Sequence, residues 1–165
     1  MRLIGDTCGV INAFKAGALD VVLILEDHTF VIGPAVVTES VQLREVVQRH
    51  LDAGRLVTAD DGSIGATTVA SISGSYNLGV GESECIAICQ ADPGLHFWSD
   101  DRRARAVASA LLGPDRVIGT ADLLRACVAQ GLMPPLDAYT AYELARSRGA
   151  FMPALDRTDF QIPNG

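Results

Sequence analysis

Aromatic residues are scarce in this chain, at 5% of 165 residues, with a single tryptophan. A core must then come from Val, Leu, Ile and Ala, a composition that suits a parallel sheet covered by helices. A basic excess is missing too. The formal net charge is −7, which argues against a protein that grips nucleic acid by bulk electrostatics. It leaves room for an acidic site that meets phosphates through a cation. Lysine occurs once, as Lys15, against twelve arginines. The longest apolar run, 21–25, falls far short of the roughly 18 residues that span a membrane. No charged, apolar and cleavage segments mark a signal peptide at the start, so the expected location is the cytoplasm.

Several chemistries lack their motifs. The four cysteines, Cys8, Cys85, Cys89 and Cys127, form no C-x-x-C pair. Cys85 and Cys89 are spaced to share one helical face, but no histidine lies near them. They read as small buried side chains, free thiols in a reducing compartment. There is no G-x-S-x-G nucleophile motif, no P-loop and no dinucleotide fingerprint. His28, His50 and His96 have no triad-like partners.

What remains is 48% apolar and 20% charged, an ordinary composition for one globular domain. Strands are expected at 2–6, 29–32, 55–58, 95–98 and 116–119. Helices are expected at 7–15, 18–25, 34–50 with a bend, 65–73, 82–90, 101–112, 120–130 and 136–148, with a loop at 79–81. Thr120 is read as the cap of its helix. This alternation predicts an α/β fold, a mainly parallel sheet with helices on both faces.

The acids then fall in a pattern. Ligands of open α/β sheets bind beyond the carboxyl ends of the strands. Asp6 ends the first strand and Asp100 the fourth, with Asp101 next. Glu39 lies within two turns of one helix start, and Glu82 and Glu84 within the first turn of another. Helix starts favour acids without any ligand, so Glu82 and Asp101 read most simply as helix-start residues. Asp6 and Asp100 are harder to explain that way. Like charges at neighbouring strand ends are costly unless a cation shares them. An all-oxygen donor set suits Mg²⁺ or Mn²⁺.

Five segments resemble one family in order. "IGDTCGVINAF" (4–14) is similar to the opening of PIN-domain proteins: a strand, an Asp, a small hydroxyl residue, then a helix. "VIGPAVVTESV" (31–41) resembles their second motif, and "LGVGESECIAI" (78–88) the Gly-Glu-x-Glu form of the third. "FWSDDRRARAVA" (97–108) and "VIGTADLL" (117–124) resemble the strand-Asp-acid-Arg segment and the Gly-Thr strand end of that same branch. The resemblance implies a three-layer α/β/α sandwich with a five-stranded sheet, a single domain over 1–149 and an irregular tail at 150–165. It also implies an endoribonuclease that uses Mg²⁺ or Mn²⁺, commonly a dimer and commonly the toxin of a toxin–antitoxin pair. Carried over by position, the ligand acids are Asp6, Glu39, Glu84 and Asp100.

One departure stands out. Ser83 holds the place where the commoner third motif has Asp, which leaves Glu82 and Glu84 as alternatives there. Thr7 and Thr120 stand beside the acids as possible partners of a ligand carboxylate or a phosphate. Arg102, Arg103 and Arg105 are candidates for RNA phosphates, although a solvated helix face explains them more simply. The alternative function is a weakly active or inactive PIN-like module that binds nucleic acid or protein. A receiver-like phosphoacceptor is a poorer match. It needs an acidic pair after the first strand and a Lys after the fifth, and neither is present.

Overall fold

A computed structural model describes residues 1–39, 43–60 and 64–161, with Glu39 described by its backbone alone. Five strands form one sheet in the order β3-β2-β1-β4-β5: β1 (Arg2–Gly5), β2 (Thr29–Ile32), β3 (Leu56–Thr58), β4 (Leu95–Trp98) and β5 (Val117–Ile118). Every neighbouring pair is parallel. Successive residues of a strand face opposite sides of its sheet. Leu3 and Ile4 are both fully buried, so both faces of β1 are covered and the expected sandwich is present.

The helices are α1 (Thr7–Lys15), α2 (Leu19–Val22), α3 (Pro34–Glu39), α4 (Arg44–Asp52), α5 (Ala66–Tyr76), α6 (Val80–Ala91), α7 (Arg102–Leu112), α8 (Thr120–Ala129) and α9 (Pro135–Ser147). By their mutual contacts they sort into two layers: α1, α2, α8 and α9 pack together, and α3 to α7 pack together. The chain winds from β1 outward to β3, then returns to the other side of β1 for β4 and β5. Strand order therefore reverses between β1 and β4. A crevice at such a switch point is where open α/β sheets receive ligands.

Several boundaries differ from those expected. The apolar run at 18–25 contains only one short helix, α2. Ala18, Leu19, Val22, Leu23 and Leu25 are all buried, so its hydropathy records burial rather than helix length. The helix expected at 34–50 is two, α3 and α4, and residues 40–42 between them lie outside the described residues. α5 runs past 73 to Tyr76 and stops where Asn77 adopts a left-handed conformation, φ 51°. The loop expected at 79–81 is already helix, because α6 begins at Val80 with Gly79 as its cap residue. The glycines suggested a break, yet Gly81 is buried inside the helix. β5 is only two residues long, ending before the 119 expected.

Candidate functional site

The switch point gathers the ends of β1, β4 and β5. Asp6 follows β1 directly, and its backbone N–H donates to Trp98 O across the switch, 3.0 Å. After β4, Ser99 extends the ladder by one residue, donating to Ile118 O at 3.1 Å. Asp100 is therefore the second residue after β4, not the first. Gly119 and Thr120 leave β5 alongside it.

Asp6 and Asp100 are treated very differently. Asp6 is fully buried. It caps α1, with Oδ1 accepting from Gly9 N at 2.7 Å. A strand-end acid thus doubles as a cap, which the sequence reading kept apart. Among the described residues no donor reaches Oδ2 in hydrogen-bond geometry. Burial, with added repulsion from Glu82 and Asp100, pushes the Asp6 pKa up to about 7, although the Gly9 N–H and the nearby Ser99 hydroxyl pull the other way.

Asp100 is surrounded by donors. Thr120 N donates to Oδ1 at 2.8 Å, while Thr120 Oγ1 at 2.5 Å and Asn12 Nδ2 at 3.1 Å donate to Oδ2. The Thr120 hydroxyl in turn accepts from Trp98 Nε1 at 3.2 Å. Trp98 is held by close approach. A Cβ on Gly5 would lie 2.8 Å from its ring, and one on Gly9 3.0 Å from Nε1, so a side chain at Gly5 would collide with the indole and one at Gly9 would crowd it. Trp98, Thr120 and Asp100 form a hydrogen-bonded chain from core to crevice.

Thr120 is therefore no cap. The cap residue of α8 is Gly119, whose N–H donates to Asp122 Oδ2 at 2.9 Å, and this frees the Thr120 hydroxyl for Asp100. Asp101 does cap its helix, with Oδ1 accepting from Ala104 N at 2.8 Å. Its own N–H donates to Ser99 Oγ at 3.0 Å.

The α6 acids diverge as well. Glu82 Oε2 accepts from Gly79 N at 2.8 Å, and its charge is among those felt by Asp6. One turn further on, Cys85 lies against Gly5 O at 3.7 Å, so this face of α6 looks onto the end of β1. Glu84 turns to the other side. Its Oε2 accepts from Ala35 N at 2.9 Å, completing the N-terminus of α3 from another helix. A Cβ on Gly33 would sit 2.4 Å from that oxygen, so glycine opens the approach. The Glu39 side chain lies outside the described residues. Among the described residues no three His, Cys, Asp or Glu side chains gather closely enough to hold a metal ion.

The arginines of α7 line hollows beside Asp100. Arg102 and Arg105 share the wall of a cavity of about 560 Å³ with Asp100 and Gly119. Arg103, with Arg102, Cys8 and Asp101, borders a second of about 410 Å³. Arg105 is fixed by donating to Ser99 O at 2.9 Å. Cys8 offers no nucleophile, since burial and the charges of Asp6, Asp100 and Asp101 push its thiol up to about 12. Cys85 and Cys89 are buried core residues, as expected. His50 is buried away from the crevice, 3.3 Å from Asp20.

Asn12, Ser99 and Trp98 were missed by sequence reasoning. Asn12 had a signal, being a polar residue on the face where α1 buries Gly9, Val10 and Ala13. Trp98 had only its rarity, and Ser99 had none.

An α/β domain with a buried and a half-buried acid at its switch point is thus defined, and the family follows. The chain belongs to the PIN-domain family, whose model matches residues 2–150. This is a nuclease-type family whose members typically use divalent metal ions. No curated protein and no solved structure matches the chain. No helix among the described residues is long and apolar enough to cross a membrane.

Proposed function

We propose that the chain is a Mg²⁺- or Mn²⁺-dependent endoribonuclease whose site is the crevice between β1 and β4. The observation that carries this reading is Asp6 Oδ2, a fully buried carboxylate oxygen without a hydrogen-bond partner among the described residues, facing repulsion from two further acids. A buried polar atom left unpaired costs about 1–3 kcal/mol, and a cation between Asp6 and Asp100 would remove that cost. The donor set fits such an ion, being all oxygen and hard. Asp6 and Asp100 would hold it, with Glu39 and one acid of α6 completing the set. Glu82 is the nearer choice on α6, because its charge reaches Asp6 while Glu84 caps α3. When bound, such an ion supplies a water that ionises near neutral pH and offsets charge on the attacked phosphate.

The chain's own residues prepare the site. Thr120 and Asn12 fix the orientation of Asp100. Trp98 fixes Thr120. Gly9 N–H holds one oxygen of Asp6 and leaves the other without a hydrogen bond among the described residues. Arg102 and Arg105 stand where a substrate phosphate would pass. In this reading the single catalytic domain works as a cytoplasmic homodimer that serves as the toxin of a toxin–antitoxin pair. A second reading, a nucleic-acid-binding module of weak activity, draws on the engagement of Glu84 with α3.

The test is cleavage of labelled RNAs by the purified chain with Mn²⁺, Mg²⁺ or EDTA. Cleavage that needs the metal and vanishes in Asp6→Asn and Asp100→Asn is expected. Binding without metal-dependent cleavage would favour the second reading.

A further inference from the structure

Phe151 is the most exposed large apolar residue described, at 91%. It follows the last residue matched by the family model, 150, so the family pattern does not account for it. Its presentation is built rather than loose. Gly149, at φ 81°, stops α9, and Ala150 N–H turns back to Ala145 O at 3.0 Å. Met152 N–H donates to Ala150 O at 3.1 Å, a three-residue turn with Phe151 at its apex. The flanks are anchored. Ala150 is buried, Tyr142 Oη donates to Pro153 O at 2.8 Å, and Phe160 packs on Tyr142 with ring centroids 5.4 Å apart. The chain thus pins both sides of a residue whose own ring touches mostly solvent.

Phe151 and Arg102 border both hollows beside the acid site, so they stand on the ridge between them. Arg102 is exposed, and among the described residues its guanidinium has no hydrogen bond or ion pair. An aromatic face beside an uncommitted cation, next to carboxylates, matches one ligand chemistry well. A nucleotide offers a planar base to the ring and a phosphate to the guanidinium.

We infer that Phe151 is a base-stacking platform, with Arg102 as its phosphate contact, seating one unpaired nucleotide beside the Asp6–Asp100 crevice. This rests on the nuclease reading and extends it by naming what grips the strand and requiring that strand to be single. A paired base has its faces occupied by its neighbours, so a duplex cannot use the platform.

The test is fluorescence anisotropy in EDTA, which keeps the probe intact, with the full chain and a short labelled RNA of mixed sequence. Single-stranded RNA, single-stranded DNA and the RNA duplex are compared. Phe151→Leu keeps an apolar side chain but no ring, and it should weaken single-strand binding by about 5- to 150-fold, the range for losing one stacked base. Phe151→Trp should restore it. Duplex binding should be the same for all three proteins. Arg102→Ala should lower the slope of log affinity against log salt by about 0.7, whereas Phe151→Leu should leave the slope unchanged. The side chain is exposed, so folding of the variants is not at issue. Equal affinity of Phe151→Leu and wild type for the single strand, or no binding by wild type, would overturn the inference. So would a loss of self-association in Phe151→Leu with RNA binding intact, since the ring would then serve a second copy. Preference for RNA over DNA decides the sugar and leaves the platform standing. Metal-dependent cleavage, read in parallel, separates the two claims: stacking without cleavage defeats only the nuclease reading, and cleavage without a Phe151 effect defeats only this one.

Discussion

Asp6 and Asp100 follow neighbouring parallel strands, yet one is starved of donors and the other is saturated. Asp100 receives Thr120 N, Thr120 Oγ1 and Asn12 Nδ2. Asp6 receives one capping N–H on Oδ1, with the Ser99 hydroxyl nearby, and among the described residues Oδ2 has no hydrogen-bond partner. The β4–β5 side is organised by the protein's own hydrogen bonds, whereas the β1 side is left with an electrostatic debt. In the proposed reading, a divalent cation would offset the repulsion felt by Asp6. Asp100 would then be a ligand positioned by its donors, and Asp6 the group that favours a cation.

The largest expected effect is on stability. Burial raises the folded-state pKa of Asp6 from 3.8 to about 7, so the folded chain holds that proton more tightly than the unfolded one. Its contribution is fully present below the unfolded value and is lost as pH rises through about 7. The loss is roughly 4 kcal/mol. In EDTA, wild type should therefore lose stability from about pH 4 to 7 relative to Asp6→Asn, because Asn keeps the cap and carries no charge. Urea unfolding across that range reads the difference. In activity, Asp6→Asn and Asp100→Asn should each lose more than about 100-fold in metal-dependent cleavage, beyond what a supporting group costs.

The supporting groups come next. Thr120→Val and Asn12→Ala each strip donors from Asp100, and each should cost about 10- to 100-fold in metal affinity or cleavage rate. A smaller loss at both would mean that the donors of Asp100 are not what positions it. The smallest effect belongs to Asp101, whose charge is as close to Asp100 in sequence as any can be. Asp101→Ala removes a cap and should cost about 1 kcal/mol of stability with cleavage per folded molecule retained. An activity loss as large as that of Asp100→Asn would merge two residues that the structure separates.

Legibility in the sequence followed the range of the interactions. β2, β4 and α1 were expected at the bounds they have, because apolar runs and local breaks define them. The alternation of strands and helices was enough to place Asp6 and Asp100 on one edge of the sheet, whereas the strand order, and with it the switch point between β1 and β4, was visible only in the structure. What escaped depends on contacts between distant residues. Asn12 reaches Asp100 across 88 positions, and Glu84 reaches Ala35 across 49. No local pattern tells an acid that caps a distant helix from one that faces the crevice. Thr120 was taken for a cap because its type and place suit one. The neighbouring Gly119 with Asp122 took that role instead, which left a hydroxyl for Asp100.

The most direct measurement is thermal unfolding at pH 8 of wild type and Asp6→Asn, each in EDTA and in Mn²⁺. Wild type is expected to be the less stable protein in EDTA and to rise clearly with Mn²⁺, while Asp6→Asn starts higher and barely responds. A wild-type chain indifferent to Mn²⁺, or an Asp6→Asn variant less stable than wild type in EDTA, would contradict a cation-demanding carboxylate at the end of β1.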